Sequence, residues 1–208
     1  MTRFSSKFSL PPKPPRTSLR TEILWGCESG NSRHFPIDVQ AIHARRYSLD
    51  PSPMNAFRDA VMRAVERVWV VDEYFLVSVN GARADARIRR ILEWLHDGLV
   101  ASDIRILTKK NQEVTEDMLR LFEDREAQVN ASQARRSKQC CIQVCTRLTE
   151  RFNFMHDRFA IVDDELWHFG ATVGGFHTSV NAASRGWDAV DSGAITFFEL
   201  AWNKCKEQ

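Results

Sequence analysis

Residues 154–175 of this chain read FMHDRFAIVDDELWHFGATVGG, the most informative stretch of its 208 residues. The apolar run at 158–162 predicts a strand, the acidic pair at 163–164 a tight turn, and 166–169 the second strand of a hairpin. His156 stands at the mouth of the first of these strands. The stretch therefore predicts a β-hairpin that presents a histidine at one edge of a sheet.

The side chains at the mouth of this hairpin suit chemistry at phosphorus. Arg158 follows His156 by two residues, so both side chains are expected on the same face of the sheet. An imidazole can attack an anionic phosphorus centre while a fixed cation offsets charge on the nonbridging oxygens. Gly170, Gly174 and Gly175 follow the hairpin, where small residues let a backbone or a phosphate approach closely.

The rest of the chain alternates between strand and helix patterns. Buried strands are predicted at 68–75, 104–108 and 141–145, and helices at 53–65, 84–95 and 115–138, with an amphipathic helix at the end. The order strand–helix–strand–helix–strand is typical of an α/β fold. For such a fold we expect a mixed, mostly parallel sheet.

Composition excludes several classes of protein. Thirteen Phe and six Trp argue against a disordered chain, and no apolar run approaches the ~18 residues of a membrane span. The net charge of +2 is too small to indicate nucleic-acid or membrane binding by itself. Five Cys without a preceding secretory segment favour a reducing, cytoplasmic compartment. We therefore expect a globular cytoplasmic protein.

The first fifty residues differ from the remainder. Five basic residues and no acidic ones fall in the first twenty, together with the run Pro-Pro-Lys-Pro-Pro at 11–15. We predict a basic, Pro-rich N-terminal arm at 1–50 and a folded domain at 51–208. The arm is either a solvated tail or a segment that docks on a partner subunit or on phosphates.

The spacing His156-x-Arg158-x4-Asp163-x6-Gly170 resembles the phospholipase D superfamily motif, His-x-Lys-x4-Asp-x6-Gly-Ser-x-Asn. The resemblance covers about residues 55–205. It implies an α/β sandwich, in which helices flank both faces of the sheet. It also implies a metal-independent phosphodiesterase that needs no cofactor.

The mechanism implied by the resemblance uses two copies of the motif at one phosphodiester. One histidine attacks phosphorus to form a phosphohistidine, the other protonates the leaving oxygen, and water hydrolyses the intermediate. This sequence contains one copy, so the resemblance implies a homodimer that pairs two His156 side chains across a two-fold axis. Arg158 would clamp the phosphate. Asp163 completes the catalytic group with His156 and Arg158, where it would support the loop by hydrogen bonding.

The sequence departs from the family motif at three positions. Arg158 replaces the lysine and keeps its charge. Ala171 and Val173 replace the serine and asparagine, and neither side chain can donate a hydrogen bond. The candidates to replace these donors in substrate binding are Thr172, His177, Ser179 and Asn181. Glu73, at the end of the strand at 68–75, is a further candidate that could orient His156.

Three functions remain open from the sequence. The first is a nuclease that cleaves DNA or RNA as a homodimer, either endonucleolytically or exonucleolytically. The family resemblance also implies a place in a bacterial defence system. The second is a catalytically inactive subunit of the same fold that binds nucleic acid or a protein partner in a larger complex. The third is a lipid phosphodiesterase, although no interfacial helix with a basic face is recognised.

Two other groups of residues are interpreted as structural. Cys140 faces away from Cys141 and Cys145 on a predicted strand and no Cys-x2-Cys pair is present, so a zinc site is not expected. These cysteines are predicted to be small buried residues. His168, between Trp167 and Phe169, is predicted to be a structural histidine rather than a catalytic one.

Overall fold

The computed structural model describes residues 19–25, 35, 37–46, 54–77, 83–132, 138–175 and 181–207. The helices are α1 (Val39–Arg46), α2 (Met54–Arg63), α3 (Ala84–Trp94), α4 (Glu116–Ser132), α5 (Leu148–Arg151) and α6 (Ala194–Lys206). The strands are β1 (Glu22–Trp25), β2 (Arg67–Val71), β3 (Asp103–Leu107), β4 (Cys141–Cys145), β5 (Phe159–Val162), β6 (Glu165–Phe169) and β7 (Ala182–Asp188). A 3₁₀ turn at Val173–Gly175 follows β6. No helix in these ranges is long and apolar enough to cross a membrane.

The strands form one seven-stranded mixed sheet in the order β1-β7-β6-β5-β2-β3-β4. The α/β class is therefore confirmed, but the prediction of a mostly parallel sheet is wrong. Only β2–β3 and β3–β4 are parallel, and the other four pairs are antiparallel. One physical reason is the short turn between β5 and β6, which forces these two strands to pair antiparallel. Strands β7 and β1 then extend the sheet by further antiparallel pairs.

The central strand β2 is buried on both faces. Val68 and Val70 belong to one apolar cluster, and Trp69 and Val71 to another, because alternate side chains of a strand point to opposite faces. Helices α2, α3 and α4 contribute to the first cluster and α6 to the second. The Trp69 ring stacks on Phe198 of α6 with 4.7 Å between ring centroids. The strand whose end carries Asp72 and Glu73 is thus held firmly in place.

Several elements differ from the sequence-based expectation. Helix α2 ends at Arg63, so Val65 lies outside the helix and is exposed. Strand β1 falls within residues 1–50 yet pairs with β7 at the edge of the sheet. The division at residue 50 stays a prediction, and residues 1–18 of the arm lie outside the described part of the chain.

The strand register brings three segments together at one end of the central strands, which is the edge of the sheet formed by the strand ends. Val71, the last residue of β2, lies opposite Leu107 at the end of β3 and opposite Phe159 at the start of β5. The segments that follow β2 and β3 therefore meet the segment that precedes β5. These segments contain Asp72, Glu73, Tyr74, Lys109, His156 and Arg158.

Candidate active site

His156 is exposed and is held by a buried carboxylate. Its side chain is 72% exposed, and its Nδ1 lies 2.8 Å from Oε1 of Glu73, whose side chain is 7% exposed. A carboxylate on one imidazole nitrogen favours the tautomer with its proton on that nitrogen. The lone pair is then on Nε2, which is the arrangement that a nucleophile requires.

Glu73 also faces a lysine from the neighbouring strand end. Oε2 of Glu73 lies 3.8 Å from Nζ of Lys109, the second residue after β3. The backbone carbonyl of Glu73 accepts hydrogen bonds from the Lys109 N–H and from the Thr108 hydroxyl, at 3.4 and 3.3 Å. The parallel pairing of β2 and β3 thus brings one carboxylate between an imidazole and an ammonium group.

Arg158 joins His156, Glu73 and Lys109 in one cluster, through contacts with Asp72 and Tyr74. Its Nε is 3.9 Å from Oδ1 of Asp72, and its guanidinium carbon is 4.9 Å from the centroid of the Tyr74 ring. Lys109 contacts the same ring, with Nζ 3.6 Å from its centroid. Two cations therefore share one aromatic ring next to His156.

Asp72 is a fully buried carboxyl group that ties this cluster to the turn at 173–175. Oδ1 accepts a hydrogen bond from the Tyr74 N–H and Oδ2 from the Val173 N–H, each at 2.8 Å. Burial raises the pKa of Asp72 from 3.8 to about 6, although these two hydrogen bonds and the charges of Arg158 and Arg87 oppose the rise. Burial likewise lowers the pKa of Arg87 to about 10. The cluster thus contains charged groups that are largely withdrawn from water.

The turn after β6 carries the two positions where the family motif has hydrogen-bonding side chains. Ala171 and Val173 are both buried, and Val173 uses its backbone N–H to bind Asp72. Gly174 adopts φ 76°, and a Cβ added there would lie 1.9 Å from the Trp94 ring, so this position requires glycine. The side chains at 171 and 173 therefore supply no donor to a substrate.

The four candidate substrate-binding residues near this turn have different outcomes. Thr172 is buried, and its carbonyl accepts a hydrogen bond from the Gly175 N–H at 2.9 Å. Asn181 is buried next to the start of β7. His177 and Ser179 lie outside the described residues. Their proposed role in binding substrate stays a prediction for all four.

Asp163 lies at the end of β5 that is remote from His156. Its carboxylate accepts hydrogen bonds from the backbone N–H groups of Val65, Glu66 and Arg67 at 2.7–3.1 Å. Its own N–H donates to the Arg67 carbonyl at 2.9 Å. Strand β5 lies between Asp163 and His156, and the hydrogen bonds of Asp163 support the segment between α2 and β2, as expected of a loop-supporting residue. Its assignment to the catalytic group stays a prediction.

The remaining polar residues near the hairpin have structural contacts. His168 is paired with Asp157 through Nε2 and is exposed. Cys140 and Cys145 are buried, whereas Cys141 is exposed, contrary to the prediction that all three are buried. Strand β4 is the edge strand of the sheet, which explains the exposure of its first residue. Within the ranges that the structure describes, no three His, Cys, Asp or Glu side chains are grouped so that they could hold a metal ion.

Sequence reasoning singled out His156, Arg158 and Glu73, and the structure brings these three together. The sequence did not identify Tyr74 as the ring shared by two cations, nor the burial of Asp72 and Arg87. The available signal was the position of Asp72-Glu73-Tyr74 directly after an apolar strand, because polar residues there meet other strand ends.

Comparison with known proteins finds only distant similarity. No protein-family model matches the chain, and no curated protein matches it. NucT from Helicobacter pylori is 12% identical over 89% of this chain and 97% of that one, with a TM-score of 0.44. Phosphatidylserine synthase from Haemophilus influenzae Rd KW20 is 14% identical over 70% of this chain and 34% of that one, with a TM-score of 0.44.

A third solved structure is that of TrmBL2, an archaeal chromatin protein described with a novel mode of DNA binding. It is 10% identical over 73% of this chain, with a TM-score of 0.34. The match covers 48% of that protein, so this chain spans about half its length. All three similarities are low in both sequence identity and TM-score.

Proposed function

We propose that this chain is a metal-independent phosphodiesterase that cleaves DNA or RNA, with an active site completed by a second copy of the chain. The observation that carries the proposal is the pairing of the exposed His156 imidazole with the buried Glu73 carboxylate at 2.8 Å. A buried carboxylate that fixes the tautomer of an exposed histidine is the arrangement of an activated nucleophile or general acid.

In the proposed reaction, Nε2 of His156 attacks the phosphorus atom of a phosphodiester. A nitrogen–phosphorus bond forms as the bond from phosphorus to the leaving oxygen breaks. The leaving oxygen takes a proton from the imidazolium of the second copy's His156. Water then attacks phosphorus, passes its proton back to that imidazole, and releases His156. The Nδ1–H of His156 donates a hydrogen bond to Glu73 throughout, and the carboxylate stabilises the positive charge that develops on the ring.

The need for two histidines is the reason to propose a homodimer. One imidazole cannot act as nucleophile and protonate the leaving group in the same step, and the sequence carries one copy of the motif. An isologous contact around His156 would supply the second ring. The high exposure of the His156 side chain supports this arrangement, because the ring is accessible to a substrate and to a second subunit.

Charge at the site supports an anionic substrate. The cluster holds the two carboxylates of Asp72 and Glu73 and the three basic groups of Arg87, Lys109 and Arg158. With a neutral His156, each half-site carries an excess of one positive charge.

The proposal also includes two features of the fold. One is a sandwich with helices on both faces of the sheet, which the two apolar clusters support. The other is the N-terminal extension at residues 1–50.

One observation favours a second candidate function. Ala171 and Val173 are buried and offer no side-chain donor where the family motif has serine and asparagine. A subunit of this fold that binds nucleic acid or a protein partner without cleaving would not need those donors. This candidate predicts binding with a steep salt dependence and no cleavage.

The two functions are separated by cleavage in the presence of EDTA. Labelled single-stranded DNA, duplex DNA and RNA are incubated with the wild type, with His156→Ala, and with His96→Ala. His96 is the matched control because it lies beyond the end of α3, next to Met62 and Gly98 and away from the site. We expect cleavage by the wild type and by His96→Ala, and none by His156→Ala.

Each other outcome has a defined meaning. Cleavage that EDTA abolishes, or that survives in His156→Ala, contradicts the proposed mechanism. Tight, salt-dependent binding without cleavage by the wild type favours the non-catalytic subunit. Release of a headgroup from phospholipid vesicles, without cleavage of any nucleic acid, would replace the substrate class and leave His156 to be tested on the lipid.

A further inference from the structure

Lys109 and Arg158 are two cations that contact the same Tyr74 ring and have few polar partners. The Lys109 side chain is 26% exposed and that of Arg158 is 24% exposed. Their ion pairs with Glu73 and Asp72 span 3.8 and 3.9 Å, which is beyond hydrogen-bond distance. Within the described residues, the buried Nε of Arg158 has no hydrogen-bond acceptor.

Both cations lie against the Tyr74 ring. Nζ of Lys109 lies 3.6 Å and the guanidinium carbon of Arg158 lies 4.9 Å from its centroid. Cation–π contacts favour both positions but satisfy none of the N–H donors. The backbone of Lys109 is anchored as well, because its N–H donates to the Glu73 carbonyl and Lys109 forms a β-bridge with Arg147.

A tetrahedral oxyanion would supply what both cations lack. Its several oxygens can accept hydrogen bonds from an ammonium and a guanidinium group together, and charge-assisted bonds of this kind are the strongest in proteins. Because the two cations are already ordered and partly desolvated, binding would cost little side-chain entropy. A neutral ligand could accept hydrogen bonds from these donors but would lack the charge assistance, and a cationic ligand would be repelled.

We infer that Lys109 and Arg158 form a phosphate-binding pair, in which Lys109 takes over hydrogen bonds that the residues at 171 and 173 cannot make. This inference rests on the proposed function, because it places the nonbridging oxygens of the substrate between the two cations and next to His156. The ligand is defined as a phosphoryl group, either in a phosphodiester or as inorganic phosphate. Lys109 then contacts substrate in addition to neutralising Glu73.

Lys110 provides a matched control for this role. Lys109→Gln and Lys110→Gln remove the same charge from adjacent positions, but Lys110 is exposed and forms none of the contacts described above. A third variant, Lys109→Arg, restores a cation with hydrogen-bond donors at the site. If Lys109 served only to neutralise Glu73, its replacement would weaken cleavage at saturating substrate and leave phosphate affinity unchanged.

The test measures KM and kcat with an oligonucleotide in EDTA, and the inhibition constant of inorganic phosphate. For Lys109→Gln we expect kcat/KM to fall and the phosphate inhibition constant to rise, each by about ten- to a hundredfold, the effect of losing a charged hydrogen bond. Lys110→Gln should change either value by no more than about twofold, and Lys109→Arg should recover at least part of the loss. Equal effects of Lys109→Gln and Lys110→Gln would overturn the inference.

Binding of inorganic phosphate, titrated by ³¹P NMR, separates failure of the inference from failure of the proposed function. If the wild type cleaves nothing but binds phosphate, and Lys109→Gln weakens that binding, the pair is a phosphate site and the catalytic proposal fails alone. If the wild type cleaves and Lys109→Gln leaves phosphate affinity unchanged, the inference fails and the catalytic proposal stands. Absence of phosphate binding by the wild type overturns the inference directly.

Discussion

Replacing Asp163 by alanine, glycine and asparagine separates a structural from a catalytic role for the aspartate of the motif. Its carboxylate accepts hydrogen bonds from the backbone N–H groups of Val65 and Glu66, which precede β2, and of Arg67, its first residue; the shortest is 2.7 Å, from Glu66. Asp163 itself adopts a left-handed conformation with φ 54°. The three variants alter the hydrogen bonds and the backbone strain in different combinations.

The expected losses of stability follow from these contacts. Asp163 is half-buried, so we assign about 1 kcal/mol to each of the three hydrogen bonds, and their loss costs about 3 kcal/mol. Alanine adds left-handed strain and should cost about 4 kcal/mol, whereas glycine tolerates this conformation and should cost about 3 kcal/mol. Asparagine keeps one acceptor oxygen and tolerates the same φ, so it should cost about 1 kcal/mol.

Urea unfolding followed by circular dichroism gives the three free energies. Near 2–4 °C per kcal/mol, alanine should lower Tm by about 10 °C. Cleavage measured well below Tm should keep the wild-type kcat, because β5 separates Asp163 from His156. Two results would refute this reasoning: stability of Asp163→Ala close to that of the wild type, or loss of kcat in a variant that stays fully folded.

Three further predictions concern the active-site edge. Between pH 4 and 6 the folded protein keeps a proton on Asp72 that the unfolded chain has released, because burial raises its pKa to about 6. The stability of the wild type relative to Asp72→Asn should therefore rise by about 2–3 kcal/mol as pH falls from 7 to 4 in urea titrations, and a fall would contradict this. Glu73→Gln keeps an acceptor for Nδ1 of His156 but removes the charge, so kcat in EDTA should drop about ten- to a hundredfold with little change in KM; an unchanged kcat would exclude this role. Gly174→Ala places a Cβ 1.9 Å from the Trp94 ring and should lower the free energy of unfolding by about 2–4 kcal/mol in thermal unfolding. Gly193→Ala, with no atom within 4 Å of its Cβ, should lower it only by the left-handed backbone strain, about 1–2 kcal/mol. Equal losses would show that the contact with Trp94 is unimportant.

Local sequence patterns predicted the elements with strong apolar periodicity. The run Val-Trp-Val-Val at 68–71 and the hairpin around 163–164 lie close to where they were expected. Strand β7, Ala-Ala-Ser-Arg-Gly-Trp-Asp, was not predicted because it has no regular alternation of apolar residues. It is held by its neighbours, including the ion pair between Arg185 and Glu165 at 2.8 Å, and such contacts cannot be read from the strand itself.

The orientation of the strands and the composition of the site depend on pairing between distant segments. The antiparallel pairing of β5 with β2 joins residues about 90 positions apart, which no local pattern specifies. Glu73 was expected at the sheet edge because it follows an apolar strand, and that expectation required only the strand order. The shared contact of Lys109 and Arg158 with Tyr74 required the register of both pairings, so it emerged only from the structure.

The most direct test of the central claim is to identify the residue that becomes phosphorylated during turnover. Protein and a labelled oligonucleotide are mixed in EDTA, quenched at alkaline pH to preserve a phosphohistidine, digested, and mapped by mass spectrometry. We expect a nucleotide adduct on the peptide that contains His156, and no adduct in His156→Ala. Cleavage without a covalent adduct, or an adduct on any other residue, would contradict the account.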